Sequence, residues 1–426
     1  MNILITGANG FIGRHLLKTC LAHGHQVTAC VRDTAKLQRH FPEVQVIQCD
    51  FSKDQKISDW LPRLNNIDVV INAVGIFQQR GTHTFAALHR QTPRALFKAC
   101  EIMGIIKVVQ ISALGADDSA FSQYHLSKKA ADDFLSTLDL NWAIVMPSIV
   151  YGPGAQSLRL FKAMAALPFT PLVDDGSQQI QPIHIGDLSN AVLQLIESET
   201  PIRQRIAAVG PDPVSFTELY GLLKSWLGIT QQRFIKIPYG LALLVARVAG
   251  VSCSIPVSAD ALKMLQAGNT ANVQAFINIF GFTPASLSKT FSQQPPLESD
   301  YLDAKLYFLL PLLRYSLAVL WVASGLLSAF AYPMESSYAM LNEVGIPNSI
   351  ASATLYSASA LDTGLGVALL FSYRLPIVLL LQIVVMLVYT AIITFSLPEL
   401  WLHPFGPVTK NIPLIAATWL LLAVEK

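Results

Sequence analysis

A tyrosine and a lysine four residues apart, Tyr124 and Lys128 in YHLSK, are the side chains whose types and spacing best suit chemistry. On a helix, residues i and i+4 share a face, so the two point the same way. An ammonium beside a phenol favours the phenolate, which is expected to lower Tyr124 toward working pH and let it give or take a proton. Ser112 closes the apolar run VVQIS twelve residues earlier and offers a hydroxyl that orients a carbonyl. Such a trio serves a proton transfer that accompanies hydride transfer, and that reaction needs a hydride carrier held close by.

The start of the chain supplies a place for one. MNILITGANGFIG joins an apolar run, Ile3 to Ile5, to a helical pattern opening at Arg14-His15-Leu16-Leu17. Gly7 permits a tight turn, Gly10 lets backbone approach a pyrophosphate, and Gly13 lets helix and strand pack closely. The helix N-terminus offers free N–H groups to phosphate. Gly7, Asn9, Gly10, Phe11, Ile12 and Gly13 are therefore expected to bind a dinucleotide.

Three later strand ends extend this site. The second strand ends at Val31-Arg32 rather than in an acid, and a guanidinium suits a 2′-phosphate, so NADP is favoured, with NAD as the alternative. Asp33 is read as the N-cap of Asp33-Thr34-Ala35-Lys36. Asp50 and Phe51 follow the third strand, where a short polar residue reaches an adenine edge or simply caps its own turn. Ala73, Val74 and Gly75 follow Asn72 after the fourth strand and line the cofactor ribose with backbone. Lys128 is expected to hold the ribose hydroxyls as well. No metal site is expected.

The elements that must hold these residues alternate. Strands are predicted near 2–6, 26–31, 44–48, 68–73, 106–112 and 142–146, with helices at 11–23, 34–40, 54–64, 83–103 and 121–138. That order implies an α/β, Rossmann-type doubly wound parallel sheet with helices on both faces. Residues 147–300 carry helical patterns at 156–166, 187–197, 215–228, 239–250 and 258–267, read as a small substrate lobe. The polar stretch 288–304 with Pro295-Pro296 reads as a linker, placing a nucleotide-binding domain at 1–300 and a second domain at 301–426.

Composition separates the two parts. Of the 426 residues 52% are hydrophobic and only 14% charged, against roughly a quarter in ordinary soluble chains. Just nine of the 58 charged residues lie beyond Lys305. Four apolar segments, near 306–330, 350–372, 375–396 and 411–424, read as a four-helix transmembrane bundle, the fourth being short for the roughly 20 residues a span needs. Lys305, Arg314, Arg374 and Lys426 favour cytoplasmic ends, with Lys410 dissenting, so a multi-pass protein of the inner membrane with its nucleotide domain in the cytoplasm is expected. Arg314 lies roughly 12 Å into the first span and Asp362 roughly 15 Å into the second, which predicts an Arg314–Asp362 pair. A net charge of +2 with no basic stripe argues against a nucleic-acid partner. Cys20, Cys30, Cys49, Cys100 and Cys253 form no C-x-x-C pair and read as buried reduced thiols. The first strand begins at residue 2, so no leader peptide is expected.

Residues 1–300 resemble the extended and atypical short-chain dehydrogenase/reductase superfamily. TGANGFIG, ISALGA (111–116), YHLSK (124–128), PSIVYGPG (147–154) and PIHIGDL (182–188) carry the resemblance. It implies NAD(P) binding and Ser112, Tyr124 and Lys128 as catalytic residues. The branch that includes the nucleotide-binding accessory subunit of respiratory complex I is the most similar. Residues 306–424 resemble the DoxX-like membrane family through LWVASG (320–325), LDTGLG (361–366) and PFGPVTKNIP (404–413). Together these predict a membrane-anchored oxidoreductase acting on a hydrophobic carbonyl, alcohol or quinone-related compound. Two departures, Met146 before Pro147 where the family often has Arg and no clear Asn in 88–100, motivate an alternative: a non-catalytic NADPH-binding protein that assembles a membrane complex with protein partners. A sugar-nucleotide epimerase is a lesser alternative.

Overall fold

The first strand is buried on both sides, which is why the sheet can form in the middle of a two-faced α/β layer. Ile3, Leu4 and Ile5 are all 0% exposed, and Ile3 and Ile5 join one core while Leu4 joins the other. This alternation is the period of a strand, and a parallel strand covered on both faces is apolar throughout. The computed structural model describes residues 1–231, 233–252 and 259–425, so Cys253 and Lys426 lie outside it. It divides into two compact units, Met1–Ala304 and Lys305–Lys426.

In the first unit β1 (Asn2–Thr6), β2 (Gln26–Val31), β3 (Gln45–Gln48), β4 (Val69–Asn72), β5 (Lys107–Ile111) and β6 (Trp142–Pro147) form a parallel sheet in the order β3-β2-β1-β4-β5-β6. A seventh strand, Gln204–Ala208, pairs with β6 in parallel. Helix α1 (Phe11–Ala22) and the helix Ile185–Glu197 cover one face. Helices α2 (Thr34–Gln38), α3 (Ile57–Trp60), α4 (Thr92–Ile102) and α5 (Gln123–Ser136) complete the nucleotide-binding half, with Trp60, Phe97 and Leu135 in the second core. Chain order reverses between β1 and β4, and that crevice is where open α/β sheets bind ligands.

Local chemistry explains where elements differ from the sequence reading. The helix predicted at 54–64 is cut to α3 followed by a 3-10 turn, Leu61–Leu64, because Pro62 has no N–H to continue it. The helix predicted at 83–103 is two pieces: a π-helical turn, Ala86–Gln91, leads into α4, whose first turn contains Pro93. Residues 147–300 divide between two cores: the strand Gln204–Ala208, the helix Ile185–Glu197 and wholly buried Phe276 join the first core, while Tyr151, Leu172, Phe216, Leu223 and Phe291 pack in a core of their own. The stretch 288–304 is mostly helical, with Leu287–Gln293 ending before Pro295-Pro296 and a new helix opening at Glu298 with Asp300 in its first turn.

Three helices among the described residues are long and apolar enough to cross a bilayer, Glu298–Ala331, Asn348–Leu370 and Leu375–Ser396, the first beginning before the second unit and the other two wholly within it. The fourth expected span is corrected: Asn411–Val424 has 14 residues, about 21 Å of helix, against a hydrocarbon core of about 30 Å. A further helix, Met334–Glu343, occupies the expected loop 331–349. The first two long helices touch through glycine. A Cβ on Gly325 would stand 2.5 Å from the Ser359 carbonyl oxygen, and one on Gly366 would stand 2.7 Å from the Val322 nitrogen.

This register also corrects the Arg314–Asp362 pair. Gly325 packs between Ser359 and Thr363, so Asp362 lies level with Gly325, eleven residues and roughly 16 Å along the helix from Arg314. Asp362 instead faces Tyr389, whose hydroxyl is 3.4 Å away, and Arg314 Nη2 donates to the Tyr315 hydroxyl at 3.1 Å.

Candidate functional site

The glycine turn is built by backbone meeting backbone. Gly7 adopts φ +72° and its N–H donates to Cys30 O at 3.2 Å, while a Cβ there would stand 2.9 Å from Ala73 O. Gly10 N–H donates to Gly7 O at 2.8 Å. A Cβ on Gly13 would stand 2.3 Å from Gly7 O, so the close approach Gly13 allows is onto the turn itself. α1 opens on Gly10 with no side-chain cap and no acid in its first turn, which leaves its N–H groups for an anion. Phe11 and Ile12 are partly buried and pack against the first core. Asn9 Nδ2 donates to Asp33 O at 2.9 Å, and its Oδ1 is buried without a partner among the described residues.

The other strand ends sort into backbone walls and side chains. Arg32 is exposed, with Nη1 2.5 Å from His83 Nε2. Asp33 caps α2 by accepting from Lys36 N at 3.0 Å. Asp50 accepts from the N–H and hydroxyl of Ser52 at 3.0 and 2.7 Å, so its carboxylate caps its own turn. Burial opposes ionisation of Asp50, but the Ser52 bonds and Lys53 outweigh it and hold the pKa below the usual range. The Phe51 ring packs edge-on to Trp60 in the core, and its carbonyl accepts from Thr92 Oγ1 at 2.6 Å. Ala73 N–H donates to Thr6 O at 3.2 Å, carrying the chain past Gly7 toward Val74 and Gly75.

At the C-terminal edge of β4 and β5 the structure brings Lys128 against Gly75, with Tyr124 one turn earlier on α5. Ser122 caps α5 by accepting from His125 N, which aims the first turn at the crevice. Lys128 is buried, and its Nζ donates to Val74 O and Ile111 O, each at 3.1 Å. A Cβ on Gly75 would lie 3.2 Å from that nitrogen. Burial lowers Lys128 to about 8, against the pull of Asp132. Tyr124 is half-buried in an aromatic box of Phe77, His125, His89 and Phe85, with centroids 5.1 to 6.1 Å away. Its pKa is not lowered as expected. Burial, then the charge of Asp132, raise it to about 12.

Ser112 does not face Tyr124 with a free hydroxyl. Its Oγ donates to the carboxylate of Asp132, a wholly buried residue one turn beyond Lys128 on α5. Burial raises Asp132 to about 6, even though Ser112 and Lys128 favour its charge. Asp132 was missed, although Tyr124, Lys128 and Asp132 repeat at i, i+4 and i+8. His89 was missed too. It accepts from Ile76 N–H at Nε2, 3.0 Å away, so Nδ1 bears the proton and donates to Ser127 Oγ at 2.8 Å. Burial, then Lys128, depress His89 to about 2, and it stays neutral.

The segments PSIVYGPG and PIHIGDL form the facing wall. Their strands Val150–Tyr151 and Ile183–His184 pair in parallel, and Gly154 faces the Phe11 ring. Tyr151 stands edge-on to His184 at 5.2 Å and hydrogen-bonds Thr290 at 2.9 Å.

Residues 7–164 match the NAD(P)H-binding family, and residues 318–419 match the DoxX-like family. The chain carries an NAD(P)-binding domain of the short-chain dehydrogenase/epimerase kind, followed by a DoxX-like domain. Ceramide reductase of Caulobacter vibrioides is 27% identical over 238 residues, 55% of this chain and 73% of that protein. The mitochondrial NADH dehydrogenase [ubiquinone] 1 alpha subcomplex subunit 9 of Arabidopsis thaliana is 25% identical over 255 residues, 57% of this chain and 61% of that one. A UDP-glucuronic acid 4-epimerase from Bacillus cereus, solved with NAD and UDP-glucuronic acid, shares the fold at TM-score 0.53 and 19% identity over 72% of this chain and all of its own. The first unit thus carries an NAD(P)H-binding match on its glycine turn and shares the fold of NAD-containing epimerase structures. Its cradle fits that group, since the three glycines meet backbone where a side chain would intrude and α1 begins uncapped.

Proposed function

We propose that this protein is a membrane-held, NADP-preferring reductase that reduces the carbonyl of a hydrophobic substrate, with Tyr124 as the proton donor. The observation that carries this reading is Tyr124 in its aromatic box, one helical turn before a Lys128 that sits against Gly75 at the end of β4. Gly7, Gly10, Gly13, Ala73, Val74 and Gly75 would hold the cofactor by backbone, and Arg32 would take the 2′-phosphate. Bound NADPH supplies a hydride to a carbonyl carbon. Tyr124, with a pKa near 12, stays protonated at neutral pH and gives its proton to the carbonyl oxygen. A protonated phenol suits reduction, whereas alcohol oxidation asks for the phenolate. Lys128, held by two carbonyls, keeps a third N–H for the phenol or a ribose hydroxyl. Ser112 and Asp132 anchor α5 beneath them.

Phe77, half-exposed against Tyr124, gives the entrance an apolar wall. Similarity to a ceramide reductase supports a long-chain substrate, and the apolar helices support a place at the inner membrane with the nucleotide domain in the cytoplasm. The test is NADPH consumption by the full chain in detergent with long-chain ketones against short water-soluble ones. Turnover confined to the long-chain compounds supports the reading, and turnover confined to the short ones opposes it.

Two observations favour a second reading. The Ser112 hydroxyl is committed to Asp132, and the chain resembles complex I subunits, so the domain would instead hold NADPH and dock a membrane partner. That reading predicts retained NADPH, no single turnover and co-purifying proteins.

A further inference from the structure

The DoxX-like unit holds buried polar atoms that its own packing leaves unmatched. Arg314 and Trp321 stand seven residues apart on the first long helix, with buried Leu317 and Ala318 between them, so both lie on its core-facing stripe. Gln382 lies on the third long helix among buried Leu379 and Met386, and is itself 0% exposed. Trp321, Leu317, Leu379 and Met386 pack in one apolar cluster. Arg314 Nε, Trp321 Nε1 and both Gln382 side-chain atoms, Nε2 and Oε1, are buried with no hydrogen-bond partner among the described residues. An amide unpaired at both ends in a hydrocarbon setting is unfavourable, and polar groups kept in such places serve a partner.

We propose that this interior receives the polar head of a membrane amphiphile bearing both acceptor oxygens and a hydroxyl or amide donor. Trp321 Nε1–H, Gln382 Nε2–H and Arg314 donate to the acceptor oxygens. Gln382 Oε1 accepts from the donor, and the acyl chain extends into the bilayer. A bilayer phospholipid and a neutral N-acyl amino alcohol share this chemistry. The proposal does not depend on hydride transfer at Tyr124.

The test reconstitutes the full chain in vesicles of equal parts phosphatidylethanolamine and phosphatidylglycerol doped with N-oleoylethanolamine. The chain is then re-extracted in mild detergent, and retained lipid is quantified by mass spectrometry. Wild type should keep about one molecule of one class, and Gln382→Met and Trp321→Phe should each lower retention about tenfold with helix content unchanged. Retained phosphatidylethanolamine or phosphatidylglycerol identifies a bilayer head, and retained N-oleoylethanolamine identifies the neutral source. Wild type that keeps no lipid overturns the proposal without any variant. So does a folded variant of either kind that retains as much as wild type.

Discussion

The hydroxyl of Ser112, at the end of β5, donates to the carboxylate of Asp132, so the helix that presents Tyr124 and Lys128 is tied to the sheet by a buried bond beneath its polar face. Asp132 favours the charged form of Lys128 four residues away. Removing that charge while keeping the shape, as in Asp132→Asn, should therefore lower the Lys128 pKa further. The reductase pH profile should move to the acid side, with its alkaline limb beginning below that of wild type. A profile measured on the folded variant that does not move would show that Asp132 acts on structure alone.

Lys128 should also set the wild-type profile. Its pKa near 8 means the ammonium is present at neutral pH and lost above 8, while Tyr124 near 12 does not titrate in that range. Carbonyl reduction should be flat from about pH 6 to 7.5 and then fall about tenfold per unit above 8. Steady-state kcat/KM against pH reads this directly.

Gly13→Ala places a Cβ against the Gly7 carbonyl, where only backbone can yield. The cost should be about 1–3 kcal/mol, seen as a lower Tm together with weaker NADPH binding. Thermal melts with and without NADPH separate the two losses.

Arg32→Ala should weaken NADPH about tenfold or more and leave NADH nearly unchanged, because a guanidinium adds affinity only where a 2′-phosphate meets it. Fluorescence titration with both cofactors makes the comparison. Equal losses would assign Arg32 to the surface and its contact with His83.

His89 should make the fold acid-sensitive. It remains neutral down to about pH 2 when folded, whereas the unfolded chain takes up its proton near 6.5. Its contribution is thus full above pH 6.5 and is lost as pH falls, by about 1.4 kcal/mol per unit. Asp132 works in the opposite sense, since the folded form holds its proton up to about 6. Between pH 5 and 7 the two largely offset one another, so the denaturant midpoint of wild type should change little with pH, whereas that of His89→Gln should fall as pH rises.

Much of this architecture was legible because its signals are local. Ile3, Leu4 and Ile5 followed by Gly7, Gly10 and Gly13 define strand, turn and helix within thirteen residues, and Tyr124 and Lys128 share a helix face by spacing alone. What escaped depends on three-dimensional company. The strand Gln204–Ala208 is recognisable only by its pairing with β6. His89 sits in a π-helical turn that reads as ordinary helix in the sequence, and its tautomer is set by Ile76 N–H. The expected lowering of Tyr124 failed because burial, and then the charge of Asp132, both raise it. The Arg314–Asp362 pair failed because matched depth does not settle register, which the contacts of Gly325 and Gly366 do.

The central claim is that Tyr124 transfers a proton, and single-turnover NADPH oxidation by Tyr124→Phe tests it most directly. With a long-chain ketone, the variant should bind NADPH as wild type does, keep its melting temperature and lose about 10²–10⁴ in rate. A Tyr124→Phe rate within about twofold of wild type, or a wild type that retains NADPH and oxidises none of it, would contradict the account.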